Sequence, residues 1–254
     1  MKLFFSSLFI AASFLSYAQM PPIGSGVFHF SELQPISGHS DQKSMLIGST
    51  NELSTLTVSV VSQPKTTLSN TLPVMDAERL IIVKQGKMKC MVGTKESKLG
   101  AGSVVLVPPS QRSVIINIAS DTLVYYVFLY TSKKPVNISR SDSAGGAIML
   151  NADSLNITTS EKGGTKKYFD RPTALTEKYE MHITYLDKKG PSHAPHQHLE
   201  TEAILVIDGD VAMTIDGKEY KGSNGDLFIV ESGKMHGVAN ASDKPCSYFA
   251  FKWR

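Results

Sequence analysis

The segment GPSHAPHQHLETEAILVIDG, residues 190–209, decides the interpretation of this sequence. It places His196 and His198 one residue apart, and Glu202 follows four residues after the second histidine. In an extended chain the two imidazoles point to the same side, because side chains alternate with a period of two. The apolar run Ala203–Ile207 predicts a buried strand, and the dipeptide DG behind it predicts a hairpin turn.

A second segment, GDLFIVESGKMHGVAN at residues 225–240, is separated from the first by fifteen residues. It predicts a further strand, a turn at Ser232-Gly233, and then His236 at the start of a returning strand. Three imidazoles and one carboxylate can therefore converge inside a barrel. Such a mixed nitrogen and oxygen set suits Mn, Fe, Zn, Ni or Cu better than Mg or Ca, which prefer oxygen.

At full spacing the two segments resemble the first and second motifs of the cupin superfamily, with Glu231 where that family usually has proline. The resemblance implies a double-stranded β-helix, or jelly-roll, barrel. It also implies that His196, His198, Glu202 and His236 bind one divalent transition metal, whose identity the sequence leaves open.

An internal repeat extends this interpretation to the rest of the chain. Two glycines and an asparagine recur 123 residues apart, within matching apolar runs, as the pairs Gly86/Gly209, Gly102/Gly225 and Asn117/Asn240. After the asparagine we expect the offset to drop by one, which aligns Ala119 with Ala241. A repeat of this length indicates a duplicated domain rather than a solenoid.

The predicted fold class is therefore all-β, with two tandem cupin barrels. We place a degenerate N-terminal barrel at residues 19–135, a linker and lead-in segment at 136–172, and the metal-binding C-terminal barrel at 173–254. Short apolar runs separated by Gly, Asn and Asp support this class, since many evenly spaced strands are typical of barrels and sandwiches.

The first half keeps the scaffold without the ligands. The positions that align with the four ligands of the second half are Pro73, Met75, Arg79 and Ser113. Glu78 lies one residue from the Glu202 position but stands alone, so we predict no metal in this barrel. We interpret Arg79 and Arg112 as solvated or inter-barrel residues rather than an anion site.

The N-terminus has the layout of a secretory signal peptide at residues 1–18. A positive start is followed by an uncharged apolar or small stretch and by the small-x-small sequence SYA before Gln19. We therefore expect an exported protein, periplasmic or extracellular, with no membrane segment after cleavage. Cys90 and Cys246 each lie in an apolar run, and we interpret both as buried, unpaired thiols.

Composition limits the partners of this chain. Of 254 residues 41% are hydrophobic and 19% charged, which excludes an intrinsically disordered chain. The net charge is only +3, and the sequence has no basic run, so nucleic acid is not expected as a partner. We expect a small-molecule substrate or ligand, and the first barrel offers a surface for a homodimer.

The remaining histidines have no motif to support them as ligands. His193 lies three residues before the first motif ligand, and it is our candidate for proton transfer at the pocket mouth, with a solvated loop residue as the alternative. His182 lies on the strand before the motif, and it either points into the barrel or packs in the core or at the surface. His29 and His39 are interpreted as ordinary core or surface residues.

The metal set implies chemistry on a small oxygen-rich substrate, such as a sugar acid or a hydroxy or keto acid. Isomerisation, hydrolysis and oxygenation all remain open, because related cupins carry out each of them. The alternative function is a non-catalytic module that binds a metal or a small ligand.

Overall fold

The computed structural model describes residues 20–65 and 69–254. The predicted signal peptide therefore lies outside the described residues. No helix in the described part of the chain is long and apolar enough to span a bilayer. The first strands in chain order are β1 (Gly26–Phe28), β2 (Gln34–Ile36), β3 (His39–Gly48), β4 (Leu53–Gln63), β5 (Asn70–Leu72), β6 (Glu78–Gln85), β7 (Lys87–Val92), β8 (Lys95–Gly100), β9 (Val104–Val107), β10 (Ser113–Asn117) and β11 (Leu123–Ser132).

The second half of the chain repeats this series. A short helix, α1, at Ile138–Ser143 precedes it, and single 3₁₀ turns occur at Phe30–Glu32 and Ala152–Ser154. The remaining strands are β12 (Ile148–Leu150), β13 (Thr158–Ser160), β14 (Gly163–Arg171), β15 (Tyr179–Leu186), β16 (Gly190–Pro191), β17 (Thr201–Asp208), β18 (Val211–Ile215), β19 (Lys218–Gly222), β20 (Leu227–Val230), β21 (His236–Asn240) and β22 (Cys246–Trp253).

The strands form two jelly-roll barrels, each made of a seven-stranded and a four-stranded antiparallel sheet. In the N-terminal barrel the strand orders are β12-β9-β6-β11-β4-β3-β2 and β5-β10-β7-β8. In the C-terminal barrel they are β1-β20-β17-β22-β15-β14-β13 and β16-β21-β18-β19. The all-β class and the jelly-roll barrels predicted from the sequence are confirmed.

Alternation along the central strands divides their side chains between two apolar cores. On β17, Ile204 and Val206 point into the C-terminal barrel, whereas Ala203 and Leu205 pack in a layer that the two barrels share. The strand buries both faces, as a strand between two apolar cores must, and its sequence is therefore a continuous apolar run. Glu202 has the parity of Ile204 and therefore points into the barrel.

Aromatic side chains join the two large sheets across the shared layer. The rings of Phe128 and Phe251, one from each barrel, meet edge to face with centroids 5.2 Å apart. Tyr130 and Tyr179 make a second such contact at 6.2 Å. These pairs bury large apolar areas in a defined geometry. Because they join side chains of both barrels, the two barrels share a common core.

The repeat keeps a single offset through both barrels. Side-chain hydrogen bonds of two equivalent asparagines show this, since Nδ2 of Asn117 donates to the Asp121 carbonyl and Nδ2 of Asn240 donates to the Lys244 carbonyl. Their Oδ1 atoms accept the backbone N–H of Ala119 and of Ser242. Ala119 thus aligns with Ser242, and the expected one-residue drop in offset was wrong.

The two barrels exchange their leading strands. β1 precedes the N-terminal barrel in sequence, yet it pairs with β20 of the C-terminal barrel. β12 precedes the C-terminal barrel, yet it pairs with β9 of the N-terminal barrel. Each barrel therefore has a sheet edge covered by a strand from the segment that leads into the other one, which protects that edge from other chains.

A buried carboxylate fixes the exchanged strand β1. Oδ1 of Asp226 accepts the backbone N–H of Phe30 at 2.8 Å, and Oδ2 accepts that of Ser223 at 2.9 Å. The Phe30 ring covers Gly225, whose φ is +97°. A Cβ on this glycine would lie 2.8 Å from the ring, so only glycine fits both the backbone and the contact.

Residues 136–172 are more ordered than the linker and lead-in segment predicted for them. They contain α1, β12, β13 and β14, and β14 pairs with β15 over most of its length. The Gly and Lys content of this segment suggested loops, but pairing with the C-terminal sheet supplies backbone partners that outweigh local propensity. Cys90 and Cys246 are both buried and unpaired, as predicted.

We predict that Asp226→Ala loosens the exchanged strand. The variant removes the acceptor of two backbone N–H groups, those of the half-buried Phe30 and the exposed Ser223, which lowers the free energy of unfolding by about 1 kcal/mol. Urea denaturation followed by tryptophan fluorescence measures this loss. Asp226→Asn keeps one acceptor oxygen, so its urea midpoint is expected to lie between those of Asp226→Ala and the wild type. Equal midpoints for all three proteins would contradict the role given to Asp226.

Candidate metal centre

Separate elements bring the histidines together at the open end of the C-terminal barrel. His196 and His198 lie on the segment before β17, and His236 begins β21. A single antiparallel bridge joins His196 to His236, with backbone N–H to O distances of 2.9 and 2.8 Å. Gln197 between the first two is exposed, as the period of two predicts.

The three imidazoles and one carboxylate face a common point. One ring nitrogen from each histidine lies within 4.8 Å of the others. Oε2 of Glu202 is 2.9 Å from Nε2 of His236 and 3.6 Å from Nε2 of His198. The three histidines therefore converge, and the carboxylate of Glu202 lies beside two of them.

Backbone carbonyls set the tautomers of two of these histidines. Nδ1 of His236 lies 2.8 Å from the Lys234 carbonyl, and Nδ1 of His198 lies 3.0 Å from the Glu200 carbonyl. Because a carbonyl only accepts, each Nδ1 carries the proton in these bonds. Neutral rings then present the Nε2 lone pair to the centre, an arrangement typical of metal-binding histidines.

The donor set fits a transition metal. Three buried ring nitrogens have no hydrogen-bond partner among the described residues: Nδ1 of His196 and Nε2 of His198 and His236. The 2.9 Å approach of Glu202 to His236 lacks hydrogen-bond geometry and so does not satisfy that nitrogen. Buried polar atoms of this kind require a partner, and a cation bound by three imidazoles and a carboxylate supplies one.

The carboxylate makes this point favourable for positive charge. Burial alone would raise the pKa of Glu202, but the facing imidazoles of His198 and His236 outweigh it and lower that pKa to about 2. Burial would lower the pKa of His236, yet Glu202 and the Lys234 carbonyl outweigh it and raise that pKa. Burial lowers the pKa of His196, which keeps this ring neutral and available as a donor.

A cavity of about 300 Å³ opens beside these residues. Two lysines line it, Lys162 from the β13–β14 turn and Lys252 from β22. Both escaped the sequence analysis, since neither belongs to a motif. For Lys252 a signal existed: it pairs with Glu202 in register, so both side chains point to the same face of the sheet.

The two uncertain histidines both line this cavity. His193 is exposed at the rim, where its ring lies edge-on to that of His196, with centroids 4.7 Å apart. His182 is half-buried on β15, and its Nδ1 lies 3.8 Å from Oε1 of Glu180. Of the two alternatives left open for His182, the structure shows the one that points into the barrel.

Glu231, which replaces the usual proline, has a partner of its own. Its backbone N–H donates to Oγ of Ser25 at 2.9 Å, and its Oε2 accepts both the N–H and the hydroxyl of Ser25 at 3.0 Å. A proline has neither the N–H nor the carboxylate. Glu231 thus fastens the segment before β1 to the turn that leads to His236.

The N-terminal barrel has no equivalent cluster in its described residues. Pro73 and Met75 are exposed, while Arg79 and Ser113 are buried. The interpretation of Arg79 as a solvated or inter-barrel residue was wrong: it is 4% exposed, and its parity on β6 is that of Ile81, which points into the barrel. Arg112 is exposed, as predicted.

Comparison with known proteins agrees with this geometry. The family model that describes the cupin domain matches residues 182–252, the part of the chain that contains all four candidate ligands. The C-terminal barrel is a cupin domain. A search of curated protein sequences finds no match to the chain.

Solved structures show the same fold over nearly the whole chain. A cupin 2 conserved barrel domain protein from Leptotrichia buccalis is 16% identical, with a TM-score of 0.60, 93% of this chain covered and 100% of the other. Protein Ylba from E. coli is 14% identical at a TM-score of 0.66, covering 94% and 95%. A mutant of the oxalate decarboxylase OxdC from Bacillus subtilis is 12% identical at a TM-score of 0.67, covering 91% and 77%. At these identities the likeness establishes the fold.

We predict that the contribution of Glu202 to stability depends on pH in the presence of a chelator. Under that condition the only positive charge available at the centre comes from protonation of the histidines. The raised pKa of His236 means that its stabilising charge is present below the ordinary pKa of 6.5 and is lost as the pH rises through the higher folded value. The lowered pKa of Glu202 keeps the carboxylate ionised throughout this range.

The difference in unfolding free energy between wild type and Glu202→Gln should therefore shrink as the pH rises above 6.5 and through the higher folded pKa of His236. Denaturant titrations at a series of pH values measure it. Glu180→Gln, which changes a carboxylate next to His182 rather than His236, is the matched control. A difference that stays constant across the series would contradict the pairing.

Proposed function

We propose that the C-terminal cupin domain is a mononuclear divalent metal centre that acts on a small, oxygen-rich, anionic substrate. His196, His198, Glu202 and His236 would hold the metal, which is Mn, Fe, Zn, Ni or Cu. The observation that carries the proposal is the convergence of three unsatisfied ring nitrogens and one ionised carboxylate beside a cavity of about 300 Å³.

The ligand set leaves room for chemistry. When bound, a divalent ion with four protein ligands keeps one or two coordination positions for a substrate oxygen or water and acts there as a Lewis acid. One carboxylate only half neutralises the charge of such an ion, so the centre stays positive. An anionic substrate is therefore favoured over a neutral one.

The lysines of the cavity support the choice of an anion. Nζ of Lys162 donates to the carbonyls of Pro191 and Ser192 at 2.8 and 3.1 Å, which holds the ammonium at the mouth of the cavity. Nζ of Lys252 lies 3.5 Å from Oε2 of Glu180. A sugar acid or a hydroxy or keto acid could place its carboxylate near these charges and its hydroxyl or carbonyl oxygen at the metal.

Proton transfer in the reaction is assigned to His193. This exposed ring stands beside His196 at the rim, where it can reach both solvent and a bound substrate. Its Nδ1 donates to the Ala194 carbonyl at 2.9 Å, so the neutral ring offers Nε2 as the base. Isomerisation and hydrolysis both use such a group, and the identity of the metal bears on the choice between them and oxygenation.

We also propose that the protein is exported to the periplasm or the exterior, on the strength of the N-terminal sequence pattern. In that setting the substrates would be small polar nutrients or breakdown products.

The competing function is a binding module without turnover. The first barrel favours this alternative, since it has the same scaffold without the four metal-ligand residues.

Metal analysis tests the centre itself. We predict one metal per chain by plasma mass spectrometry of wild type, and less than about a tenth of that amount in His196→Ala/His198→Ala, because two of four ligands are lost. The matched control changes the corresponding residues of the first barrel, Pro73→Ala/Met75→Ala, and should keep the full amount. Two metals per wild-type chain, or equal content in the double variant, would refute the assignment.

Turnover tests the reaction. We predict that the metal-loaded protein converts at least one member of a panel of uronates and α-hydroxy or keto acids, assayed with and without oxygen. His193→Gln should lower kcat by about 10²–10⁴-fold without loss of metal, since a proton-transfer group contributes in that range. Full metal content with ligand binding and no turnover anywhere would instead identify a binding module.

A further inference from the structure

The open end of the N-terminal barrel carries polar residues at the positions of the metal ligands. Arg79 on β6 and Glu202 on β17 are equivalent, since each pairs with the last valine of the neighbouring strand, Val107 and Val230 respectively. Ser113 begins β10 as His236 begins β21. The side chains of Glu202 and His236 approach to 2.9 Å, so Arg79 and Ser113 occupy two neighbouring positions.

Arg79 is a buried charge without a counter-charge. The residue is 4% exposed, and no carboxylate among the described residues lies within salt-bridge distance of it. Burial lowers the pKa of Arg79, and no acidic group opposes that shift. A guanidinium nevertheless remains charged in proteins, so the site keeps a positive charge in apolar surroundings.

Within the described residues, Arg79 donates a single side-chain hydrogen bond. One amino group donates to the Pro73 carbonyl. A guanidinium has five N–H donors in a planar fork that matches two oxygens of an oxyanion. If the residue served only to fasten the loop at Pro73, a single uncharged donor would suffice, without the cost of burying a charge.

Ser113 supplies a second unsatisfied group at the same end of the barrel. The residue is fully buried, and its Oγ has no hydrogen-bond partner among the described residues. A buried hydroxyl without a partner is rare and calls for a ligand or water. It can donate to an oxygen bound by the guanidinium.

We propose that this end of the N-terminal barrel binds a small oxyanion between Arg79 and Ser113, without a metal. Where the C-terminal barrel has a carboxylate and an imidazole, which favour a cation, the N-terminal barrel has a guanidinium and a hydroxyl, which favour an anion. A carboxylate and a phosphate group share the required chemistry and are the two sources to distinguish. The site lies in the other barrel from the proposed metal centre and does not depend on it.

Isothermal titration of the full chain tests the proposal. The parent protein carries His196→Ala/His198→Ala, so that anions cannot bind through a metal in the second barrel. Sodium formate, sodium phosphate and sodium chloride are titrated at equal ionic strength. We expect saturable binding of formate, of phosphate or of both, and none of chloride; saturation by formate identifies a carboxylate site and saturation by phosphate alone a phosphate site.

Variants assign the binding to the two residues. Arg79→Gln keeps a polar amide but removes the charge and the fork of donors, and should weaken the affinity by about tenfold or more. Ser113→Ala should weaken it by roughly threefold, at no loss of thermal stability, because it removes an unsatisfied buried hydroxyl. The control Arg112→Gln removes an exposed charge next to Ser113 and should change the affinity less than about twofold.

The result that overturns the proposal is the absence of saturable oxyanion binding to the parent, or equal affinity in the parent and Arg79→Gln. Should Arg79→Gln not fold, Arg79→Lys and Ser113→Ala carry the test, since lysine keeps the charge but loses the fork. Both should then bind more weakly than the Arg112→Gln control, and equal affinities in all three variants would reject the site.

Discussion

Alternation of side chains along the two large sheets is the constraint on which the rest of this structure depends. Each central strand gives one face to its own barrel and the other to the layer that the barrels share, where Phe128 and Phe251 meet. Because both faces are apolar, a polar side chain that is buried on these strands requires a partner. The carboxylate of Glu202 faces the imidazoles of His198 and His236.

The exchange of leading strands makes the two barrels one unit. β1 closes an edge of the C-terminal sheet, and the Glu231 contact with Ser25 ties the segment before it to the turn that carries His236. The first barrel therefore supports the second even without metal ligands of its own. The first barrel has none of the four ligand residues at the equivalent positions, yet the reciprocal pairing and the shared layer hold it in the same fold.

Several features followed from local pattern alone. Short apolar runs between turn residues predicted the strands. The repeated glycines and asparagines predicted the duplication, because those residues hold turns that few others allow. The four candidate ligands came from spacing within two short segments. By contrast, the strands within residues 136–172 were missed, since Gly-rich and Lys-rich stretches become strands only when a neighbouring sheet edge offers hydrogen-bond partners.

The amino-acid sequence by itself determined the all-β class, the duplication and the three histidines that converge in the second barrel, because these depend on residue type and short-range spacing. Only the tertiary structure decided which barrel each leading strand joins, that Lys162 and Lys252 enter the same cavity as the histidines, and that Arg79 is buried rather than solvated. These outcomes depend on contacts between residues far apart in the chain, and no local pattern specifies which of several apolar edges or cavities a distant segment will fill.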